Sequence, residues 1–248
     1  MSADALRSLR EEVAAACRIL ARRGLVEGVL GHVSARAPGG MALRSRGPEE
    51  AGVLYTEPED IVLHSLDGEA LEDTEHRRPG EHPIHGEVYR ARPDVGAVVH
   101  AHPPAVLACD LAGVPLRPIF GAYNIPAMRL ALAGVPVFER SWLIHSAALA
   151  APMVAALGDG PAVVLRGHGV VVVGETVEAA TVRALDLEAL ARVSLDVASA
   201  GGTPADIPAG DVAELPDLGP AFNDRLAWAH LRRADAIAHH ADQEAMRP

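Results

Sequence analysis

The spacing of apolar and polar residues predicts a chain in which helices and short strands follow one another. The predicted helices cover residues 3–23, 79–90, 175–200 and 221–242, and one more helix begins at Pro103 and Pro104. The predicted strands cover residues 28–36, 41–45, 61–64, 96–101, 135–138, 162–165 and 170–173. This order predicts an α/β protein with a central sheet and helices on its faces.

The length of 248 residues and the hydrophobic fraction of 49% predict a single domain over residues 1–248. The core of this domain is expected at about residues 5–200. Residues 201–220 are rich in Gly, Pro and Asp, which predicts a linker or a segment that wraps around the domain. Residues 221–248 are expected to form a C-terminal helix that docks through apolar residues such as Trp228.

Composition argues against several classes of function. A net charge of −11 is unfavourable for a nucleic-acid surface, because phosphate binding needs a basic face. No apolar run approaches the roughly 20 residues of a membrane span, and the first residues lack a secretion signal, so we expect a cytoplasmic protein. The chain contains no lysine, which excludes Schiff-base chemistry and a Walker-type phosphate loop.

Three histidines and one glutamate form the strongest candidate site. His100 and His102 are two residues apart in a predicted strand, so both side chains leave the same face. His168 lies between two glycines, which predicts a tight turn where the backbone can approach a ligand. Glu81 lies in the first turn of a predicted helix. Any one of these histidines alone would be interpreted as a core or surface residue, but together they are typical of a catalytic divalent metal site.

Two motifs that carry these residues, and a third motif near the N-terminus, resemble the class II aldolase/adducin family over roughly residues 5–200. They are Gly-His-Val-Ser at 31–34, Val-Val-His-Ala-His-Pro at 98–103 with Glu81 upstream, and Arg-Gly-His-Gly-Val at 166–170. The resemblance implies a three-layer αβα fold with a central mixed or antiparallel sheet. It also implies a small-molecule substrate and a cyclic homotetramer with active sites between subunits.

The family resemblance also implies roles for individual residues. His100, His102 and His168 would hold a divalent metal, often zinc, although three histidines also accept Mn²⁺, Fe²⁺ or Co²⁺. Glu81 would be the proton-transfer residue that can approach the metal when no substrate is bound. Tyr123 lies near the position at which sugar-phosphate aldolases offer a catalytic tyrosine to a neighbouring subunit, and a plain packing role for Tyr123 stays open.

The chain departs from the sugar-phosphate aldolases of this family at their phosphate-binding positions. His32 replaces an asparagine, and Arg44 and Arg46 replace a loop of small hydroxyl donors. An arginine guanidinium suits a planar carboxylate better than a loop of small hydroxyl donors does. These three residues are therefore candidates for substrate binding. An ordinary solvated loop for the two arginines and a structural role for His32 stay open.

These features favour a metal-dependent lyase that breaks a carbon–carbon bond. The first hypothesis is decarboxylation of an ortho-hydroxylated aromatic dicarboxylate, for instance 3,4-dihydroxyphthalate, with Glu81 as the general acid. The first alternative is a class II aldolase that acts on a small hydroxy-carbonyl substrate. A second alternative is a non-haem iron oxygenase on the same fold, and a third is an adducin-like scaffold, which would have no need of the histidines.

Overall fold

The computed structural model describes residues 1–245, and its centre is one seven-stranded sheet. The strands are β1 (His32–Ala37), β2 (Gly40–Arg44), β3 (Ile61–His64), β4 (Ala97–Ala101), β5 (Val137–Phe138), β6 (Ala162–Leu165) and β7 (Gly169–Gly174). They lie in the order β3-β2-β1-β4-β7-β6-β5, and every pair is antiparallel except β5 with β6. The strand predicted near Pro136 is therefore an edge strand, as its proline indicated.

Eight α-helices surround the sheet in the described part of the chain. They are α1 (Ala3–Arg22), α2 (His82–Ala91), α3 (Pro104–Ala112), α4 (Ile125–Ala133), α5 (Ala147–Leu157), α6 (Val177–Ser199), α7 (Ala209–Glu214) and α8 (Ala227–Ala245). A π-helical turn, Ala221–Leu226, leads directly into α8. Within residues 1–245, no helix combines the length and the apolar character that a membrane crossing requires.

Side-chain alternation gives the sheet two apolar faces, each covered by its own helices. On β4, Val99 belongs to the core that contains α1, α3 and α6, whereas Val98 belongs to the core that contains α2 and α5. The sheet is thus the middle of three layers, which confirms the predicted αβα fold with a mixed, largely antiparallel sheet. The register sets His32 of β1 directly opposite His100 of β4 on the α2 side.

The structure differs from the predicted elements at three places. The first strand begins at His32 rather than near residue 28, because Gly28 and Gly31 adopt positive φ values of 58° and 84°. Helices α4 and α5 were not predicted, since both are apolar on nearly every side and carry no amphipathic period. Such segments cannot be distinguished from buried strands by periodicity alone.

The predicted linker at residues 201–220 wraps against the domain and contains the short helix α7. Ile207, Val212 and Leu215 of this segment pack on a small core formed with α4 and α6. Trp228 of α8 is buried in the same core as α1, as expected for a docking residue. The last part of the predicted C-terminal helix, residues 246–248, lies outside the described residues.

A buried ion pair ties α8 to α1. Arg18 donates from Nε and Nη2 to the carboxylate of Asp235 at 2.8–3.2 Å, and its Nη1 donates to the carbonyl of Thr56 at 2.6 Å. The Asp235 side chain is only 2% exposed. The neighbouring pair of Arg22 with Asp242 is wetter, since the Asp242 side chain is 34% exposed.

Replacing Asp235 with alanine should therefore destabilise the protein by about 3 kcal/mol, because it leaves the buried Arg18 guanidinium without its counter-ion. Asp242→Ala is the matched control and should cost less than about 1 kcal/mol, as exposed pairs do. Urea unfolding followed by circular dichroism measures both free energies of unfolding. Equal losses in the two variants would contradict the structural role given to the Arg18–Asp235 pair.

Candidate metal centre

Four elements bring Glu81, His100, His102 and His168 together at one end of the sheet. His100 lies on β4, His102 lies just beyond the end of that strand, and His168 lies in the turn between β6 and β7. Glu81 lies directly before the first residue of α2 and not within its first turn, because the helix begins at His82 rather than at the predicted residue 79. The three imidazole rings have centroid separations of 4.9–5.1 Å. We call these four residues the histidine–glutamate cluster.

Two backbone carbonyls fix the orientation of two of the imidazoles. The Nδ1 atom of His100 lies 3.0 Å from the carbonyl oxygen of Val170, and Nδ1 of His168 lies 3.1 Å from that of Trp142. A carbonyl oxygen can only accept a hydrogen bond, so each Nδ1 carries the proton of a neutral ring. Each Nε2 therefore presents a bare lone pair to the cluster, which is the arrangement that metal-binding histidines adopt.

Three imidazole Nε2 atoms and one carboxylate oxygen converge at the centre of the cluster. The Nε2 atoms of His100 and His102 are 3.2 Å apart, and Oε2 of Glu81 lies 3.4 Å from Nε2 of His100 and 3.6 Å from Nε2 of His168. Two nitrogens on a tetrahedral zinc, at 2.0–2.1 Å each, are about 3.3 Å apart. The donor set and its spacing thus fit a divalent cation bound at the centre of the cluster.

Protonated histidines would be a poor substitute for such a cation. Burial, with the neighbouring rings of His100 and His168, lowers the pKa of His102 to about 4. Burial and His100 likewise lower the pKa of His168. Both imidazoles are therefore neutral at physiological pH, and neutral imidazole is the form that ligates metals.

Glu81 is held so that one carboxylate oxygen faces the histidines. Its Oε1 accepts a hydrogen bond from the backbone N–H of Ile144 at 2.9 Å, which leaves Oε2 toward the cluster. Burial raises the pKa of Glu81 and the hydrogen bond from the Ile144 amide lowers it, and the pKa lies below the usual value. The carboxylate is thus ionised at neutral pH and ready to accept a proton.

Glycines on both sides of His168 serve two different purposes, as the predicted tight turn required. Gly167 has a φ of +61°, which favours glycine, and its N–H donates to the carboxylate of Asp110 at 2.8 Å. Gly169 lies so close to β4 that a side chain there would collide with the Ala101 carbonyl oxygen and with the His102 ring. The turn therefore sets His168 against His102.

His32 lies beside the cluster, and a chain of buried polar side chains leads from it into the protein. Its ring centroid is 5.0 Å from that of His100, and its Nδ1 lies 2.7 Å from Nε2 of His85. Nδ1 of His85 lies 2.6 Å from Oγ of Ser34, which lies 2.8 Å from the hydroxyl of Tyr89. We call His32, His85, Ser34 and Tyr89 the polar chain.

Three members of the polar chain were not predicted from sequence, although a signal was present. His85 and Tyr89 follow Glu81 at steps of four residues, so all three lie on one face of α2. Ser34 follows His32 at a step of two on β1. Burial lowers the pKa of His85 to about 3 and raises the pKa of Tyr89, so both side chains are uncharged.

Three other predicted site residues form no hydrogen bond or ion pair with the cluster in the described chain. Arg44 is buried on the strand face that it shares with Ala42, the α1 side, and its guanidinium pairs with Glu50. Arg46 is exposed and donates to the carbonyl of Val29 at 3.2 Å. Tyr123 is 80% exposed, with its ring edge against Phe120. Their functions in substrate binding and catalysis stay predictions.

Comparison with known proteins adds evidence that is independent of this geometry. Residues 11–195 match the family described as Class II Aldolase and Adducin N-terminal domain. A 3,4-dihydroxyphthalate decarboxylase from Arthrobacter keyseri is 50% identical over 226 residues, which cover 89% of this chain and 91% of the relative. A protein of the same name from Rhodococcus jostii (strain RHA1) is 48% identical over 235 residues, covering 93% of this chain and 97% of the relative.

The fold resembles that of solved proteins as well. An L-fuculose 1-phosphate aldolase from Glaciozyma antarctica PI12 superposes with a TM-score of 0.73 and 22% sequence identity. The superposition covers 98% of this chain and 92% of the aldolase. At this identity the likeness supports the architecture and says nothing about the substrate.

Proposed function

This chain belongs to the class II aldolase and adducin family, and we propose that it is a metal-dependent decarboxylase of 3,4-dihydroxyphthalate. The observation that carries the proposal is the 48–50% identity to two 3,4-dihydroxyphthalate decarboxylases over about nine tenths of the chain. The family inferred from the motifs, and the first hypothesis of decarboxylation, are thereby confirmed. The proposed enzyme is a carboxy-lyase that serves the breakdown of aromatic compounds.

We propose His100, His102 and His168 as the ligands of one divalent metal, with zinc as the first candidate. Their converging lone pairs and the 3.2 Å separation of two Nε2 atoms support this assignment. When bound, the metal would stabilise negative charge on the substrate oxygen next to the bond that breaks. Glu81 stays outside the ligand set in this proposal, because its carboxylate is needed for proton transfer.

Glu81 can carry one proton through the whole reaction. Its ionised carboxylate accepts the proton of the substrate hydroxyl that is ortho to the departing carboxylate. The ring–carboxylate bond then breaks, CO₂ leaves, and the electron pair stays on the ring carbon. Glu81 returns the proton to that carbon, which gives 3,4-dihydroxybenzoate after the phenolate takes a proton from water. The buried Ile144 N–H on Oε1 holds the carboxylate in place for both transfers.

Substrate binding is proposed to involve His32, with Arg44 and Arg46 as cationic groups toward the second carboxylate. Support for His32 is its position beside His100, opposite it in the sheet. Arg46, with its exposed guanidinium, is freer to reach a ligand than Arg44, which Glu50 already neutralises. The family's homotetramer would bring an exposed residue such as Tyr123 to a neighbouring site, and we keep both the tetramer and this role as proposals.

Loss of two ligands should remove the metal. We expect purified protein to hold about one metal ion per chain and the His100→Ala, His102→Ala double variant to hold almost none. His145→Ala is the matched control, since His145 is exposed and outside the cluster. Elemental analysis by plasma mass spectrometry measures the ratio. Full occupancy in the double variant would refute the assignment of the ligands.

A Glu81→Gln variant should lose turnover while it keeps the metal. Glutamine retains the carbonyl that accepts the Ile144 N–H but cannot carry a proton, so kcat should fall by about 10²–10⁴-fold. Glu87→Gln, on the same helix and paired with Arg90, should leave kcat unchanged. Steady-state kinetics and metal analysis check both variants. A Glu81→Gln rate close to wild type would remove Glu81 from the mechanism.

A side-by-side substrate assay tests the proposed reaction. The metal-loaded enzyme should release CO₂ from 3,4-dihydroxyphthalate and form 3,4-dihydroxybenzoate, and it should leave L-fuculose 1-phosphate intact. Product analysis by liquid chromatography and a coupled aldehyde assay follow the two reactions. Retro-aldol cleavage of the sugar phosphate without CO₂ release from the aromatic acid would replace the proposal with the aldolase alternative.

A further inference from the structure

The polar chain ends at a phenol that has one acceptor within hydrogen-bond distance among the described residues. That acceptor is Oγ of Ser34, 2.8 Å from the Tyr89 hydroxyl. Tyr89 is 2% exposed, so its O–H group has no access to bulk water. A buried hydroxyl that lacks any partner costs free energy, so the Tyr89 proton must point to Ser34.

This donor sets the direction of every hydrogen bond that follows. Ser34 accepts from Tyr89, and its own hydroxyl proton then donates to Nδ1 of His85, 2.6 Å away. With Nδ1 as an acceptor, a neutral His85 carries its proton on Nε2 and donates it to Nδ1 of His32 across 2.7 Å. The opposite direction would leave the Tyr89 proton without an acceptor.

We propose that the polar chain fixes His32 in the tautomer with its proton on Nε2, so that His32 is a hydrogen-bond donor to an anionic substrate oxygen and His85 is its positioning residue. The inference rests on the proposed function for the identity of that oxygen, a carboxylate or phenolate oxygen of the aromatic acid. The tautomer itself follows from the hydrogen-bond geometry alone.

The tautomer also separates His32 from the proposed metal ligands. His32, Glu81 and His100 form a second group whose ligand atoms lie within 4.8 Å of one another, so His32 is a geometric competitor for the metal. A neutral imidazole ligates through the nitrogen that lacks a proton, and the Nδ1 of His32 is already occupied by His85. His32 therefore faces the site as a donor, whereas His100 and His168 face it as acceptors.

Burial explains why the chain can hold one tautomer. His85 and Ser34 are fully buried and His32 is 6% exposed, so water cannot supply an alternative donor or acceptor along the chain. The members come from two elements only, α2 and β1. Helix α2 packs through Ile84 and Val88 in the apolar core that includes Val98 of β4, the strand that pairs with β1. In such surroundings an unsatisfied polar atom is expensive, which favours the single arrangement that satisfies all of them.

Nitrogen-15 NMR of the full-length protein, labelled on histidine, tests the tautomer without any substrate. Long-range proton–nitrogen spectra distinguish a ring protonated on Nε2 from one protonated on Nδ1, and a His32→Gln variant assigns the His32 signals. We expect the Nε2–H form of His32 in the metal-free and in the zinc-loaded protein. An Nδ1–H form, or loss of the Nε2 proton on zinc addition, would overturn the proposal.

Two replacements of His85 test its function in substrate binding. Glutamine and methionine have similar volumes, but only glutamine can donate to His32 and accept from Ser34. With 3,4-dihydroxyphthalate we expect His85→Met to raise KM about tenfold or more at unchanged metal content, and His85→Gln to restore most of the loss. Equal KM values in the two variants would contradict the positioning role.

The two measurements keep this inference apart from the proposed function. If the enzyme fails to decarboxylate the aromatic acid while the spectra show the Nε2–H form, the substrate assignment is wrong and the tautomer stands. If decarboxylation occurs while His32 is protonated on Nδ1, the proposed function stands and the positioning role of His85 is wrong.

Discussion

The candidate site depends on backbone carbonyls that hold imidazole N–H groups and so turn bare lone pairs toward one point. Val170 does this for His100 and Trp142 does it for His168. Without those two hydrogen bonds either ring could rotate or exchange tautomers, and the converging arrangement would be lost. The carbonyls themselves are fixed by the sheet and by the loop after β5, so the rigidity of the fold is passed directly to the metal-binding atoms.

His32 has the opposite polarity, although it is the same type of residue and lies next to His100. The difference comes from the partner of the second nitrogen: a carbonyl oxygen for His100, a donating imidazole for His32. A carbonyl oxygen requires the nearer ring nitrogen to carry the proton, whereas a donor N–H requires the nearer ring nitrogen to be unprotonated. In the proposed function, one of two neighbouring histidines is a metal ligand and the other is a donor to the substrate, and the partner behind each ring sets the difference.

Much of the fold and the centre of the site could be predicted from sequence because the signals were local. The spacing of two between His100 and His102, the glycines around His168 and the alternation in the strands each depend on a few adjacent residues. Helices α4 and α5 escaped prediction because uniformly apolar segments carry no period. The polar chain depends on how α2 packs against β1, and the surroundings of Arg44 depend on which face of its strand lies under α1. Neither of these long-range arrangements is encoded by adjacent residues.

The loop between β5 and α5 contacts two residues of the histidine–glutamate cluster through its main chain. The Ile144 amide donates to Glu81, and the Trp142 carbonyl accepts from His168. The side chains of Trp142 and Leu143 take no part in these two contacts, and they are 38% and 63% exposed. Substitutions at Trp142 and Leu143 therefore leave the main-chain contacts in place, whereas Ile144 is 1% exposed and is held by the apolar core. In such a segment the main chain and the side chains are under separate constraints, so the exposed surface of the loop can vary while Glu81 and His168 keep their positions.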